Sequence, residues 1–112
     1  MIDLSYSDFL KVDIRVGTVL RAEENNNLTK PSIILEIDFG KQIGIKKSSA
    51  QLKSNYKAQD LINKQIAAVI NFSPKQIGKV ISEVLVLGFP DNQNEPILVS
   101  PDYKIENGGR LY

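Results

Sequence analysis

A small all-β fold is what this sequence predicts, and three observations point there. Several short apolar segments alternate with period two, Gly, Pro, Asn and Asp bound them, and only one internal stretch favours helix-compatible residues over β-branched ones. The 112 residues match a single domain, 1–112, large enough to bury one core without disulfides or a structural metal.

Taken in order, Tyr6, Phe9 and Leu10 fall together on a short helical turn whose rings need covering. "VDIRVGTVL" places Val12, Ile14, Val16, Thr18 and Leu20 on one face of a first strand, with Gly17 marking a bulge or bend. "SIILEIDFG" sends Ile33, Leu35, Ile37 and Phe39 inward and Glu36 and Asp38 outward, and Gly40 turns the chain into a short third strand carrying Ile43 and Ile45. "SSAQLKSNYKAQDLINKQ" holds one short helix, for which Ser48 and Gln51 have capping-box spacing. "QIAAVINF" is apolar on both faces, which suits a central strand, and "VISEVLVLGF" supplies the fifth. Strand-strand-strand-helix-strand-strand is the order of the OB-fold, a five-stranded barrel that commonly binds oligonucleotides or oligosaccharides; here it carries terminal extensions.

Composition removes whole classes of function. Without cysteine or histidine there are no disulfides, no usual zinc set, and no Ser-His or Cys-His pair. A Ser-Lys nucleophile would need a desolvated lysine, which the polar context of Lys46 and Lys47 does not supply. Glu23 and Glu24 are adjacent and point to opposite faces of a strand, so they are no hydrolytic pair. No catalytic residue, metal or cofactor is expected. The start "MIDLSYSDFL" lacks a basic leader, and "IAAVI" and "VLVL" fall far short of the roughly 20 apolar residues that span a bilayer, so a cytoplasmic location is expected.

Net charge is only +1, but it is unevenly spread. From Lys41 to Ser82 there are eight lysines and one acid, Asp60, a net +7 against −6 elsewhere. Such asymmetry suits a polyanion if the fold gathers the lysines on one side, and a merely solvated surface if it does not. Two stretches concentrate it. In "GIKKSSAQL", Lys46, Lys47, Ser48, Ser49 and Gln51 offer ammonium groups, hydroxyls and backbone N–H groups to a phosphate if they sit at a strand end and helix start; alternatively Ser48 caps the helix and the lysines are simply hydrated. In "NFSPKQIGKVISE", Pro74 and Gly78 force a loop that carries Lys75, Gln76 and Lys79, and the barrel order brings this loop toward the first stretch. Stacking groups look scarce: Phe39 and Phe72 read as core, and Tyr56 is the one tyrosine of the basic region. That favours structure-selective RNA binding over generic single-strand binding. The tail "NGGRLY" sets a flexible turn before Leu111 and Tyr112, which either dock on the barrel or join the amino-terminal aromatics in a subunit interface.

With these residues in view, the chain resembles CsaA-type proteins, stand-alone members of the tRNA-binding domain family that is also appended to many methionyl-tRNA synthetases. The matching segments are "DFLKVDIRVGTV", "ILEIDFGKQIGIKKSSAQL", "LINKQIAAVINFSPKQIGKVISEVLVLG" and "NGGRL", nearly the full length in order. The resemblance implies an OB-fold and non-catalytic binding of structured tRNA by a symmetric homodimer joined through amino- and carboxy-terminal extensions, which here hold Tyr6, Phe9, Leu10, Leu111 and Tyr112. The RNA-facing positions it implies are Lys46, Lys47, Ser48, Ser49 and Gln51, with Lys75, Lys79, Ser82 and Glu83 opposite. CsaA-type proteins are also described as export-related chaperones, so unfolded or export-bound polypeptides are the alternative partner. One departure stands out: the family usually has a basic residue directly before its Ser-Glu pair, and this chain has Ile81 there, with Lys79 its nearest cation.

Overall fold

The computed structural model describes residues 1–26 and 30–112. In chain order the elements are α1 (Tyr6–Phe9), β1 (Ile14–Asn25), β2 (Ser32–Asp38), β3 (Ile45–Ala50), α2 (Ala58–Leu61), β4 (Gln65–Val69), β5 (Lys75–Ile77), β6 (Val80–Ser82), β7 (Leu85–Val86), β8 (Gly88–Pro90) and β9 (Pro96–Leu98). Five of them form one antiparallel sheet in the order β3-β2-β1-β4-β7, and β5-β6 and β8-β9 are separate two-stranded ribbons. The sheet curls into the expected OB-type barrel, with the short α2 between β3 and β4. None of the helices among the described residues is long and apolar enough to cross a membrane.

β2 behaves as its alternation dictates: Ile33, Leu35, Ile37 and Phe39 are all but sealed from solvent, beside Val19, Leu52, Leu61, Ile66, Ala68, Val84 and Leu98. β4 is central, paired with β1 on one side and β7 on the other. The first strand differs from its expected face. Gly17 and Val19 point into the barrel, while Val16 is covered on the opposite side by the carboxy-terminal tail. The reason is volume. A Cβ on Gly17 would lie 2.6 Å from Ile37 Cγ2 and 2.8 Å from Phe39 Cδ1, so glycine is the inward residue because those side chains already fill its place. The irregularity in pairing with β2 comes later, between Val19 and Arg21, and leaves Leu20 exposed.

β3 also departs from expectation. Gly40 and Gly44, with φ of +89° and +87°, close a turn in which the Gly44 N–H donates to the Gly40 carbonyl, and Ile43 packs on the core while Ile45 is exposed. The strand then continues through Ser48 and Ser49 to Ala50, opposite Leu35, Ile34 and Ile33. Ser48 is therefore no helix cap, and Gln51 does not close a capping box; α2 begins ten residues after Ser48, at Ala58, without a side-chain cap. Cross-strand pairing with β2 claims the backbone that the capping reading needed free. The single fifth strand expected from "VISEVLVLGF" is divided among β6, β7 and β8, because residues 82–84 turn aside to meet β3.

The tail docks within the chain. The Gly108 N–H donates to the Val16 carbonyl (2.8 Å), the Val16 N–H to the Gly109 carbonyl (3.1 Å), and the Leu111 N–H to the Ile14 carbonyl (2.9 Å). It thereby continues the place beside β1 that β2 leaves at Asp38. Asn107 accepts from Thr18 Oγ1 (2.6 Å), and the Gln65 amide grips both the carbonyl and the N–H of Ile105.

Replacing Gly17 by alanine is expected to lower folding stability by about 1–3 kcal/mol through overpacking, read as a reduced urea midpoint at unchanged slope. A midpoint equal to wild type would show that Ile37 and Phe39 have room to move.

Candidate nucleic-acid interface

The two lysine-rich stretches meet along one seam. Lys47 donates its backbone N–H to Glu83 Oε1 (3.0 Å), and the Glu83 N–H returns a bond to the Lys47 carbonyl (2.8 Å). Ser49 donates its N–H to Ser82 Oγ (3.1 Å), and the Ser48 hydroxyl donates to the Val84 carbonyl (3.1 Å). β3 is thus joined to residues 82–84 partly through side chains, with a serine hydroxyl and a glutamate carboxylate accepting where strand carbonyls would in a regular ladder. The other oxygen of Glu83 lies 4.0 Å from Lys46 Nζ, a half-exposed pair of small energetic weight.

A concavity opens on each side of the seam. One, of about 570 Å³, is lined by Ser49, Gln51, Phe72, Lys75, Glu83 and Leu85 among others. The second, of about 540 Å³, is lined by Arg21, Glu36, Lys47, Lys79, Ile81 and Glu83. Glu83 borders both. Among the described residues, Lys47, Lys75 and Lys79 have no carboxylate within 4 Å, so their charge is free to meet an anion. The β5-β6 hairpin, turned at Gly78 with φ +61°, holds Lys75 and Lys79 over the seam and pairs Lys75 with Ser82.

Of the residues singled out from sequence, Ser49, Gln51, Lys75, Ser82 and Glu83 share the first concavity, and Lys47 and Lys79 share the second with Glu83. Lys46 lines neither. Ser48 is only 2% exposed and spends its hydroxyl on Val84, so it shapes the first concavity from beneath. Tyr56 is not a stacking group: its hydroxyl accepts the Leu98 N–H and its ring packs on the core. The lining residues not anticipated include Lys30, Arg21 and Phe72. Lys30 and Arg21 lie outside the basic segment, and Phe72, expected in the core, is 57% exposed. The turn residues around Phe72, Asn71 before it and Ser73-Pro74 after it, were the available signal that β4 had already ended.

Beyond the seam, Ser5 caps α1 by accepting the Asp8 N–H, and Tyr6 and Phe9 lie with ring centroids 6.5 Å apart. Arg110 donates to the Leu10 carbonyl (2.7 Å) and sits 3.6 Å from Asp13, so the tail and α1 share one face. Tyr6, Leu10, Leu111 and Tyr112 are exposed on it, and Phe9 is half-buried.

Ser82→Ala and Glu83→Ala are each expected to cost about 1 kcal/mol of stability, with Glu83→Gln costing less because the amide oxygen still accepts from Lys47. Amide hydrogen exchange at Lys47 and Ser49 checks the cause: protection should fall in the alanine variants and persist in Glu83→Gln.

Comparison with known proteins agrees with this geometry. Residues 14–110 match the family described as "Putative tRNA binding domain". The methionine–tRNA ligase of Pyrococcus horikoshii is 32% identical over 108 residues, covering 96% of this chain but only 14% of that enzyme. Among solved structures, the chaperone CsaA of Bacillus anthracis superposes with a TM-score of 0.92 at 43% identity, covering 99% of this chain and all of that one. CsaA of Picrophilus torridus gives 0.89 at 46% identity, covering 98% of this chain and 100% of its own. Matched along almost its whole length in sequence and fold, the chain belongs to the tRNA-binding domain family as a CsaA-type member.

Proposed function

We propose that this chain is a non-catalytic, homodimeric binder of structured RNA, tRNA foremost, acting in the cytoplasm as a single domain over 1–112. The observation that carries the reading is the pair of concavities flanking the Glu83 seam, which collect Lys47, Lys75, Lys79 and Arg21 around hydroxyl and amide groups in a chain of the tRNA-binding family. Lysines neutralise backbone phosphates, and Ser49 and Gln51 fix register beside them. Lys46 and Ser82 support the site at its seam, one by its pairing with Glu83 and the other by holding Ser49. Lys79 is the nearest cation in sequence to Ile81, and with Lys47 and Arg21 it lines that side beside Glu23, Glu36 and Glu83, Arg21 lying 3.8 Å from Glu36.

Titration with bulk tRNA is expected to show binding that weakens steeply with salt, and Lys75→Ala and Lys79→Ala should each reduce the salt slope by about one unit. A flat salt response would overturn the reading. The alternative is favoured by one observation, the apolar wall of the larger concavity formed by Leu85, Leu87 and Ile77, which suits an unfolded or export-bound polypeptide. Suppression of aggregation that survives both high salt and the lysine variants would transfer the activity to that partner.

The homodimer rests on the shared face of α1 and the tail, where Tyr6, Leu10, Leu111 and Tyr112 expose apolar surface beside Phe9. Sedimentation at micromolar concentration should give a dimer for the wild type and a monomer for Leu10→Glu/Leu111→Glu. A dimer in that variant would place the interface elsewhere.

A further inference from the structure

We infer that Phe72 is a stacking platform for an unpaired RNA base, seated in the larger concavity with its flanking phosphates on Lys75 and Lys30. This deepens the RNA-binding reading above and rests on it. Four observations combine. Phe72 is 57% exposed on the wall of a concavity of about 570 Å³, a size that small-molecule and nucleotide sites commonly have. The residues on either side of it are held: the Asn71 side chain accepts the Asp13 N–H (3.0 Å) and donates to the Lys11 carbonyl (2.7 Å), the Ile70 N–H donates to the Asp13 carbonyl, and Ser73 is restricted by the following Pro74. Among the described residues the ring has no aromatic partner of its own, whereas Phe9 has Tyr6 and Phe39 is buried. Finally, the polar groups around it are sorted by chemistry. Lys30 and Lys75 are cations for phosphate, Ser49 and Gln51 can bond a base edge, and Glu95 accepts from amino groups of the kind that cytosine, adenine and guanine carry.

That distribution separates a base from a phosphate as the occupant. Glu83 and Glu95 border the same concavity, which favours phosphate at its lysine-bearing rim over its interior, while an unpaired base can offer an N–H group to Glu95 and a face to the Phe72 ring. A regular duplex keeps its bases stacked on one another and offers none to Phe72. The RNA feature recognised is therefore an unpaired nucleotide in a loop or single strand, with lysines reading the backbone on either side.

Phe89 supplies a matched control. It is 68% exposed on β8, opposite Ile97, and lies outside the concavity. The test measures binding of bulk tRNA, a short single-stranded oligoadenylate and a blunt RNA duplex of equal length, at several salt concentrations, for wild type, Phe72→Ala, Phe72→Tyr, Phe89→Ala and Lys75→Ala. Phe72→Ala should weaken tRNA and oligoadenylate binding by roughly 5- to 100-fold at every salt concentration, leaving the salt slope unchanged. Phe72→Tyr and Phe89→Ala should bind as wild type, and duplex binding should be indifferent to Phe72. With 2-aminopurine in the oligonucleotide, the fluorescence change on binding should disappear in Phe72→Ala. If Lys75→Ala weakens tRNA binding and Phe72→Ala does not, the platform is overturned while the RNA reading stands. If wild type binds no RNA at low salt, both fall. If Phe72→Ala loses an unfolded polypeptide and keeps RNA, the concavity belongs to peptide and the platform is overturned.

Discussion

Where β3 meets residues 82–84, the barrel is completed by side chains as much as by backbone. In a regular antiparallel pair, two main chains exchange N–H and C=O groups directly and lie close together. Here the Ser82 hydroxyl and the Glu83 carboxylate accept the N–H groups of Ser49 and Lys47, and only the Glu83 N–H reaches a strand carbonyl. The Glu83 N–H and the Lys47 carbonyl meet directly at 2.8 Å, and on either side of that bond a side chain stands between the two backbones. The join therefore satisfies the polar groups of β3 without zipping the edge shut, and the concavities on its two sides are what remains open. Glu83 borders both because it stands in the gap.

The same join sorts the lysines of the basic segment. Lys46 faces the second oxygen of Glu83, and Lys53 lies 3.3 Å from Glu24, so each has a carboxylate nearby. Lys47, Lys75 and Lys79 have none among the described residues, and they sit around the seam. A field built from a few unpaired cations on a nearly neutral molecule is local, reaching about one Debye length of 8–10 Å at physiological salt. It can favour a phosphate passing the seam without making the whole surface adhesive to polyanions.

Much of this was legible in the sequence, and the parts that were not have identifiable physical causes. β2 could be read residue by residue because its inward positions are all large and apolar, so period and burial coincide. β1 could not, because its inward position at Gly17 is empty by necessity: Ile37 and Phe39 occupy the space, and a pattern that scores hydrophobicity passes over a residue chosen for having no side chain. Ser48 misled for the converse reason. Its spacing to Gln51 satisfies a local rule for helix starts, yet Leu35 across the sheet and the Val84 carbonyl claim it from residues far along the chain. The convergence of the two lysine-rich stretches was visible as charge and strand order, whereas the exposure of Phe72 depends on where β4 stops, and apolar character alone does not report that.

The docked tail has a consequence for the order in which the molecule assembles. Arg15 donates to the carbonyl of Gly108, 93 residues away, and the Ile14 and Val16 carbonyls find their partners in Leu111 and Gly108. While the polypeptide is being synthesised, β1 can pair with β2 at once and with β4 soon after, but the amino-terminal half of its remaining edge has no partner until residues 107–111 emerge. Pairings of such sequence separation are late and slow to form. For that interval an unpaired strand edge is presented to every neighbouring nascent chain, and docking of the tail withdraws it from edge-to-edge association.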